Sequence, residues 1–239
     1  VPTLSRSLLL DTLPPDVRSS LHVQESDHRL SEVLIKADES PEFIFFPHTS
    51  ALVSIIRSTE SGSMVEVGVI GGEGVFHVHS LLTQTPPAGS EALVQGEGRF
   101  SRVKASRIKE LFRTNEPFRE LLLEYTSIFL DQVTQNAVCN RLHPIEQRLA
   151  KWVLIVRERV GNDDLQMTHD FLAHMLGVHR PGVSIAVNAL AMDAVIESRR
   201  NHIIVRDVVG LKAKSCECHT SINDRLSVFS RKLIKRSAA

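Results

Sequence analysis

Between Thr168 and Leu190 the chain reads Thr-His-Asp-Phe-Leu-Ala-His-Met-Leu-Gly-Val-His-Arg-Pro-Gly-Val-Ser-Ile-Ala-Val-Asn-Ala-Leu. These residue types at this spacing suit recognition of duplex DNA: two short helices and a tight turn, with the second helix offered to the major groove. Leu172 and Leu176 are placed to face inward from the first helix, and Ala173 is small where the second helix must cross close by. Gly177 supplies the turn residue that tolerates positive φ. Val183 and Ala186, with Val178 ahead of them, cover the inner face of the second helix.

Other clusters offer different chemistry. Cys216-Glu217-Cys218-His219 carries metal-ligand types, but a zinc site takes four ligands and no second group is evident along the chain. His77 and His79 would share one face of a strand as a further metal pair. The expectation is no bound metal and no resident cofactor. A metal- or redox-responsive protein using Cys216, Cys218 and His219 stands as the alternative. For enzyme chemistry the chain lacks a P-loop, a GxGxxG after a strand, a GxSxG and an HExxH. No nucleophile, base and orienter can be nominated among the 11 histidines and their neighbours. The expectation is therefore not an enzyme, with a ligand-binding protein or enzyme carrying a helical appendage as the rival.

The elements that must position these residues follow from periodicity. Glu42 to Phe46, Leu52 to Arg57, Met64 to Ile70 and Glu91 to Gln95 read as short strands. In the third of these Val65, Val67 and Val69 alternate as one buried face. Closely spaced short strands suggest a sandwich or jelly roll, with strand signals ending near Lys104 and a helix from about Ser106 to Phe112. Asn115 is a good N-cap for a long helix, with Pro117 tolerated in its first turn. Phe118, Leu121, Leu122, Tyr125, Ile128, Phe129 and Val133 recur at three/four spacing, and Gln132 and Asn136 add polar register residues. This stripe is the expected seam of a parallel homodimer. Asn140 to Pro144 breaks the helix as a hinge, and a further helix runs from about Ile145 to Val160. After the two-helix motif, Val195-Ile196 and His202 to Val205 flank a polar turn as the wing of a winged helix. The segment from Ser221 to Arg236 is amphipathic and reads as a docked terminal helix.

Composition sets the outer bounds. With 42% hydrophobic and 23% charged residues in 239, this is an ordinary globular chain long enough for two modest domains. No apolar run is long enough to cross a bilayer. Three cysteines give no disulfide framework, so a reducing cytoplasm is the expected compartment. The chain is neutral as a whole, with 28 basic and 28 acidic residues. Residues 1–143 carry 13 Lys+Arg against 18 Asp+Glu, a net of −5, whereas residues 144–239 carry 15 against 10, a net of +5. The basic half is the half that holds the two-helix motif, as a nucleic-acid-binding portion requires.

The order of elements, with Glu146-Gln147-Arg148-Leu149-Ala150-Lys151-Trp152 and Leu172-Ala173-His174-Met175-Leu176-Gly177-Val178-His179-Arg180-Pro181, resembles the cyclic-AMP receptor protein/fumarate-nitrate regulator (CRP/FNR) superfamily of bacterial transcription factors. The segment Val65 to Gly74 and the Cys216-Glu217-Cys218 tail look like a divergent branch. The resemblance covers nearly the whole chain. It implies an α+β fold: an N-terminal antiparallel β-roll over residues 1–114, a dimerisation helix and hinge over 115–142, and a winged helix-turn-helix over 143–239. It also implies a homodimer on a palindromic DNA site, with RNA polymerase and a small-molecule effector as further partners and no membrane.

The departures from the family pattern carry their own expectations. Cyclic-nucleotide-binding members have a Gly-Glu pair on the ribose and an Arg-Ser pair on the phosphate. Here those positions fall at Phe76-His77 and Ser90-Glu91. A phosphate facing Glu91 would meet repulsion where it needs a bidentate cation, so no cyclic-nucleotide control is expected. No cysteine lies near the N-terminus, where iron–sulfur members place theirs. On the second helix the family reads bases through an Arg, a Glu and a second Arg. Arg180 occupies the first position and could bridge O6 and N7 of guanine, whereas the others are Pro181 and Ile185. Ser184 and Asn188 share the outward face, with His179 at the helix start. Thr168, His169, Arg199 and Arg200 are placed to meet phosphate.

Overall fold

The computed structural model describes residues 6–78 and 89–237. A single turn of 3-10 helix (Leu10–Thr12) and α1 (Pro15–Ser20) precede seven strands: β1 Gln24–His28, β2 Val33–Ile35, β3 Phe43–Pro47, β4 Leu52–Ser58, β5 Met64–Ile70, β6 Ser90–Gly96 and β7 Gly98–Lys104. They form two antiparallel sheets in the orders β2-β6-β4-β5 and β1-β7-β3. Ile44, Phe46, Phe100, Val53 and Val94 fill the space between the sheets, all buried. Strands β1 and β2 escaped the sequence reading, and β7 entered it only as strand signals ending near Lys104. β1 is Gln-Glu-Ser-Asp-His, too polar for an apolar alternation to reveal it.

β5 departs from the expected one-sided strand. Val65 and Val67 are half-buried, and the intervening Glu66 is buried with them. The strand is covered on both faces, by the β-roll interior and long helix on one side and by the C-terminal half on the other.

Helix α2 (Ala105–Thr114) leads into α3 (Glu116–Leu142), whose N-terminus Asn115 caps by accepting from Phe118 N at 3.0 Å. At 27 residues α3 is about 40 Å long. It lies directly on β5 at Gly68, where an added Cβ would stand 2.8 Å from the Phe129 ring. α4 (Ile145–Val160) follows the break at His143-Pro144 and carries Leu149, Trp152, Val153 and Val156 inward.

The C-terminal half then reads β8 (Asp164–Gln166), α5 (His169–Leu176), α6 (Arg180–Met192), β9 (Ile196–Arg199), β10 (His202–Val205), α7 (Val208–Lys214) and α8 (Cys218–Ser237). The wing is a three-stranded sheet in the order β8-β10-β9, one strand more than the predicted hairpin. α8 leaves this half and inserts Leu226, Phe229 and Leu233 into the β-roll core beside Phe118 and Tyr125. Sequence order placed it with the winged helix, but its apolar side is buried with the first half. No helix among the described residues is long and apolar enough to cross a membrane.

The expected dimer seam requires correction. Phe118, Leu121, Leu122, Tyr125 and Ile128 are buried inside their own protomer, and Phe129 and Val133 are half-buried. Gln132 accepts from Val69 N at 2.6 Å, and Asn136 donates to Val67 O at 3.1 Å. The stripe seats α3 on its own β-roll and on α8. The apolar side chains that α3 leaves exposed are Leu123, Leu130, Val138 and Leu142.

Candidate nucleic-acid interface

The local sequence explains how α5 and α6 are held. Thr168 caps α5 by accepting from Phe171 N at 3.0 Å. Gly177 ends α5 at φ +60°, where a side chain would be strained and where its added Cβ would meet Val65 Cγ2 at 2.9 Å. Pro181 occupies the first turn of α6, where its missing N–H costs nothing. Leu172, Ala173 and Leu176 of α5 meet Val183, Ala186, Val187 and Leu190 of α6 in one buried cluster. Of the side chains required by the helix-turn-helix pattern, Leu172, Ala173, Leu176, Val183 and Ala186 lie inside and Val178 packs half-buried against them.

The outer face of α6 is open. Arg180 is exposed and pairs with Asp170 at 3.3 Å, an ion pair weak enough in water to yield to a stronger partner. Ile185 (72% exposed) and Asn188 follow on the same face. Met192, 87% exposed, extends it by one turn. The sequence reading missed Met192, although its position four residues after Asn188 would have found it.

Four predicted contact residues serve structure as well. His169 Nδ1 and Ser184 Oγ lie 3.0 Å apart and tie α5 to α6, which leaves both half-buried. Thr168 spends its hydroxyl lone pair on the cap. In the wing, Arg199 bonds Glu197 at 2.5 Å, and Arg206 binds the same carboxylate. Hydrogen bonds from Arg206 and then Arg199 hold Glu197 below the usual carboxylate range. Arg200 and His179 are exposed.

Above the interface, the winged helix docks onto the β-roll through a buried polar contact. Trp152 Nε1 donates to Glu66 Oε1 at 3.0 Å, and Ser54 donates to Glu66 Oε2 at 2.7 Å. Burial raises the Glu66 carboxyl to about 7, against the opposing effects of these hydrogen bonds and of Lys151 and Arg159. Leu52, Ile56 and Val69 of the β-roll share a core cluster with Leu149, Trp152 and Val153 of α4.

The predicted ligand pocket is a cavity of about 480 Å³ between β-roll and α3. Phe76, His77 and Ser90 line it, but Glu91 does not. Neighbouring residues of a strand point to opposite faces, so the predicted repulsion between Glu91 and a phosphate has no geometry behind it. Arg57 lines the cavity in its place. His79 lies outside the described residues.

His219 does not join Cys216 and Cys218. Its Nε2 stands 3.1 Å from Glu158 Oε2, beside Asn223. The two cysteines turn the other way, toward Cys139 and His143. Hydrogen bonding with Cys216 holds the Cys139 thiol well below the usual thiol range, and the same contact holds Cys216 above it.

Residues 147–214 match the Crp-like helix-turn-helix domain family. No curated protein matches the chain. Among solved structures, a protein assigned as a transcriptional regulator of the crp/fnr family from Eubacterium rectale is 12% identical. It superposes with a TM-score of 0.70 over 86% of this chain and 96% of that one. FixK2 from Bradyrhizobium japonicum is 18% identical, with a TM-score of 0.68 over 82% and 98%. A CRP-family transcriptional regulator from Thermus thermophilus is 11% identical, with a TM-score of 0.67 over 80% and 96%. At these identities the likeness is one of fold.

Proposed function

We propose that this chain, with the CRP/FNR regulator fold and a Crp-like helix-turn-helix domain over residues 147–214, is a sequence-specific DNA-binding transcription regulator and not an enzyme. The observation that carries the reading is the outer face of α6. Arg180, Ile185 and Asn188 stand clear of the protein on a helix whose other side is fixed by Val183, Val187 and Leu190. Arg180 takes the guanine-reading role and Asn188 offers an amide to adenine, while Ile185 packs on a thymine methyl. Arg199, Arg200, His179, Thr168 and His169 meet the phosphates on either side.

The regulator acts as a homodimer on a palindromic site. Leu123 and Leu130, one heptad apart on the exposed side of α3, and Val138 beyond them support a seam displaced from the buried stripe. A dimer places two α6 helices about one helical turn of DNA apart, and RNA polymerase is the further partner on the promoter.

The β-roll cavity takes an effector other than a cyclic nucleotide. Ile55, Ile70, Val75, Phe76 and Phe129 dominate its walls, which favours an apolar body with at most one anionic or polar end at Arg57 and Ser90. Calorimetric titration with cyclic AMP and cyclic GMP should give no heat of binding; micromolar affinity for either would refute this part.

Selection of bound duplexes from a random DNA pool tests the main reading. Enrichment of a two-fold-symmetric site, with preference relaxed at one base pair per half-site in Arg180→Ala, is the expected result. Failure of the folded protein to enrich any sequence, with and without a cell extract supplying effectors, would overturn it.

A further inference from the structure

Cys139 and His143 lie one turn apart at the C-terminal end of α3, so their side chains leave the helix on one face. Cys216 lies in the short link between α7 and α8, and Cys218 opens α8. The fold brings these distant pairs together. The three Sγ atoms and a ring nitrogen of His143 all lie within 4.8 Å of one another. Cys139 Sγ stands 3.6 Å from Cys216 Sγ, and His143 Nδ1 stands 3.5 Å from Cys218 Sγ.

Those separations have a specific meaning. With Zn–S near 2.3 Å and Zn–N near 2.0 Å, tetrahedral angles put two sulfurs about 3.8 Å apart and a sulfur–nitrogen pair about 3.5 Å apart. The Cys139–Cys216 and Cys218–His143 separations match donors arranged around one small ion, and all four donors lie within 4.8 Å, close enough to converge on it. In a four-iron cluster each ligand binds a different iron, which spreads the donors further. The three cysteines are buried, and His143 is half-buried at the rim.

The surroundings are those of a metal site. His143 Nε2 lies 3.3 Å from Glu217 Oε1, so a ring bound through Nδ1 would donate its other N–H to a carboxylate. Gln135 Nε2 donates to Cys218 Sγ at 3.0 Å. Three thiolates around a divalent cation leave one net negative charge. The buried cations Lys151 and Arg148 stand close enough to act on Cys139 electrostatically.

We propose that Cys139, His143, Cys216 and Cys218 form a closed tetrahedral site for one zinc ion. All four positions are filled by protein, so the ion has no open place for a substrate and its role is structural. It ties the end of the long helix, at the break before α4, to the start of α8. Each cysteine that binds releases its thiol proton to solvent, and His143 binds as the neutral ring. The inference does not depend on DNA binding.

The test uses the full chain, purified reduced, stripped by chelator and reloaded with zinc or cobalt(II). One metal per chain, the visible bands of tetrahedral cobalt thiolate and a raised Tm are the expected results. Cys216→Ser with Cys218→Ser should abolish loading. Glu217→Gln, at an exposed position that leaves the fold untouched, should weaken zinc about 10–100-fold. The proposal fails if the reduced, folded chain binds no stoichiometric metal. It also fails if the Glu217 variant binds as tightly as the parent, if cobalt gives an octahedral spectrum, or if the protein holds an iron–sulfur chromophore instead.

Discussion

Trp152 Nε1 donates to Glu66 Oε1 at 3.0 Å, and this bond joins the first helix of the DNA-binding half to β5, the last strand in its sheet of the β-roll. A carboxylic acid buried at such a joint makes the contact between the halves sensitive to protonation.

The Glu66 carboxyl is raised to about 7 by burial, so the folded chain holds a proton that the unfolded chain releases near pH 4.5. The stabilisation is complete below pH 4.5 and is lost as pH rises through about 7, a change of at most about 3 kcal/mol. Thermal unfolding from pH 5 to 8 should show this decline in the parent. Glu66→Gln, neutral throughout, should flatten it, and parallel profiles for the two would rule the account out.

Arg180→Ala should weaken binding to the selected duplex by about 1–3 kcal/mol, or roughly 5–150-fold, and relax preference at the matching base pair. Titration by fluorescence anisotropy at several salt concentrations separates this from a phosphate contact, which would weaken all sequences alike. Equal losses on specific and random DNA would remove Arg180 from base reading.

Leu130→Asp should leave far-ultraviolet circular dichroism unchanged and convert the dimer to monomer in sedimentation velocity. Leu130 is 61% exposed on α3, whereas Leu122 is fully buried. Leu122→Asp should therefore unfold the β-roll outright. A Leu130 variant that remains dimeric would place the seam elsewhere.

Gly177→Ala should cost about 1–2 kcal/mol from the left-handed backbone alone. The added methyl also crowds Val65, so the docking of α5 on β5 should loosen. Hydrogen exchange of the β5 amides would report it. An unchanged Tm with unchanged exchange would show that the turn relaxes freely.

The C-terminal helices were legible because their signals are local. Asn115 as an N-cap, Gly161 after Val160 and Gly177 after Leu176 each mark an end through backbone geometry that few residues tolerate. The inward side chains of the helix-turn-helix were equally plain, since a 3.6-residue period names the buried face. What the sequence could not reveal was which surface covers a stripe. Phe118 to Val133 are apolar at the right spacing for a twin helix, yet the β-roll and α8 cover most of them. The cysteine–histidine group was hidden for the same reason. Cys139 and Cys216 are 77 positions apart, and only tertiary packing makes them neighbours. Glu66 gave no warning either, because an acidic residue between valines reads as the wet face of a strand.

The return of α8 to the β-roll has a consequence for the chain's biosynthesis. The Phe229 ring lies tilted against Tyr125 with centroids 6.1 Å apart, and Leu226 and Leu233 flank it in the same core. A ribosome that has finished α3 has therefore made every strand of the roll but not the side chains that seal it. The nascent N-terminal half must wait, with Tyr125 and its neighbours uncovered, until more than 80 further residues have emerged. A message truncated between residues 205 and 218 yields a helix-turn-helix attached to an open, sticky roll, a species suited to capture by chaperones or proteases and not to occupation of a promoter.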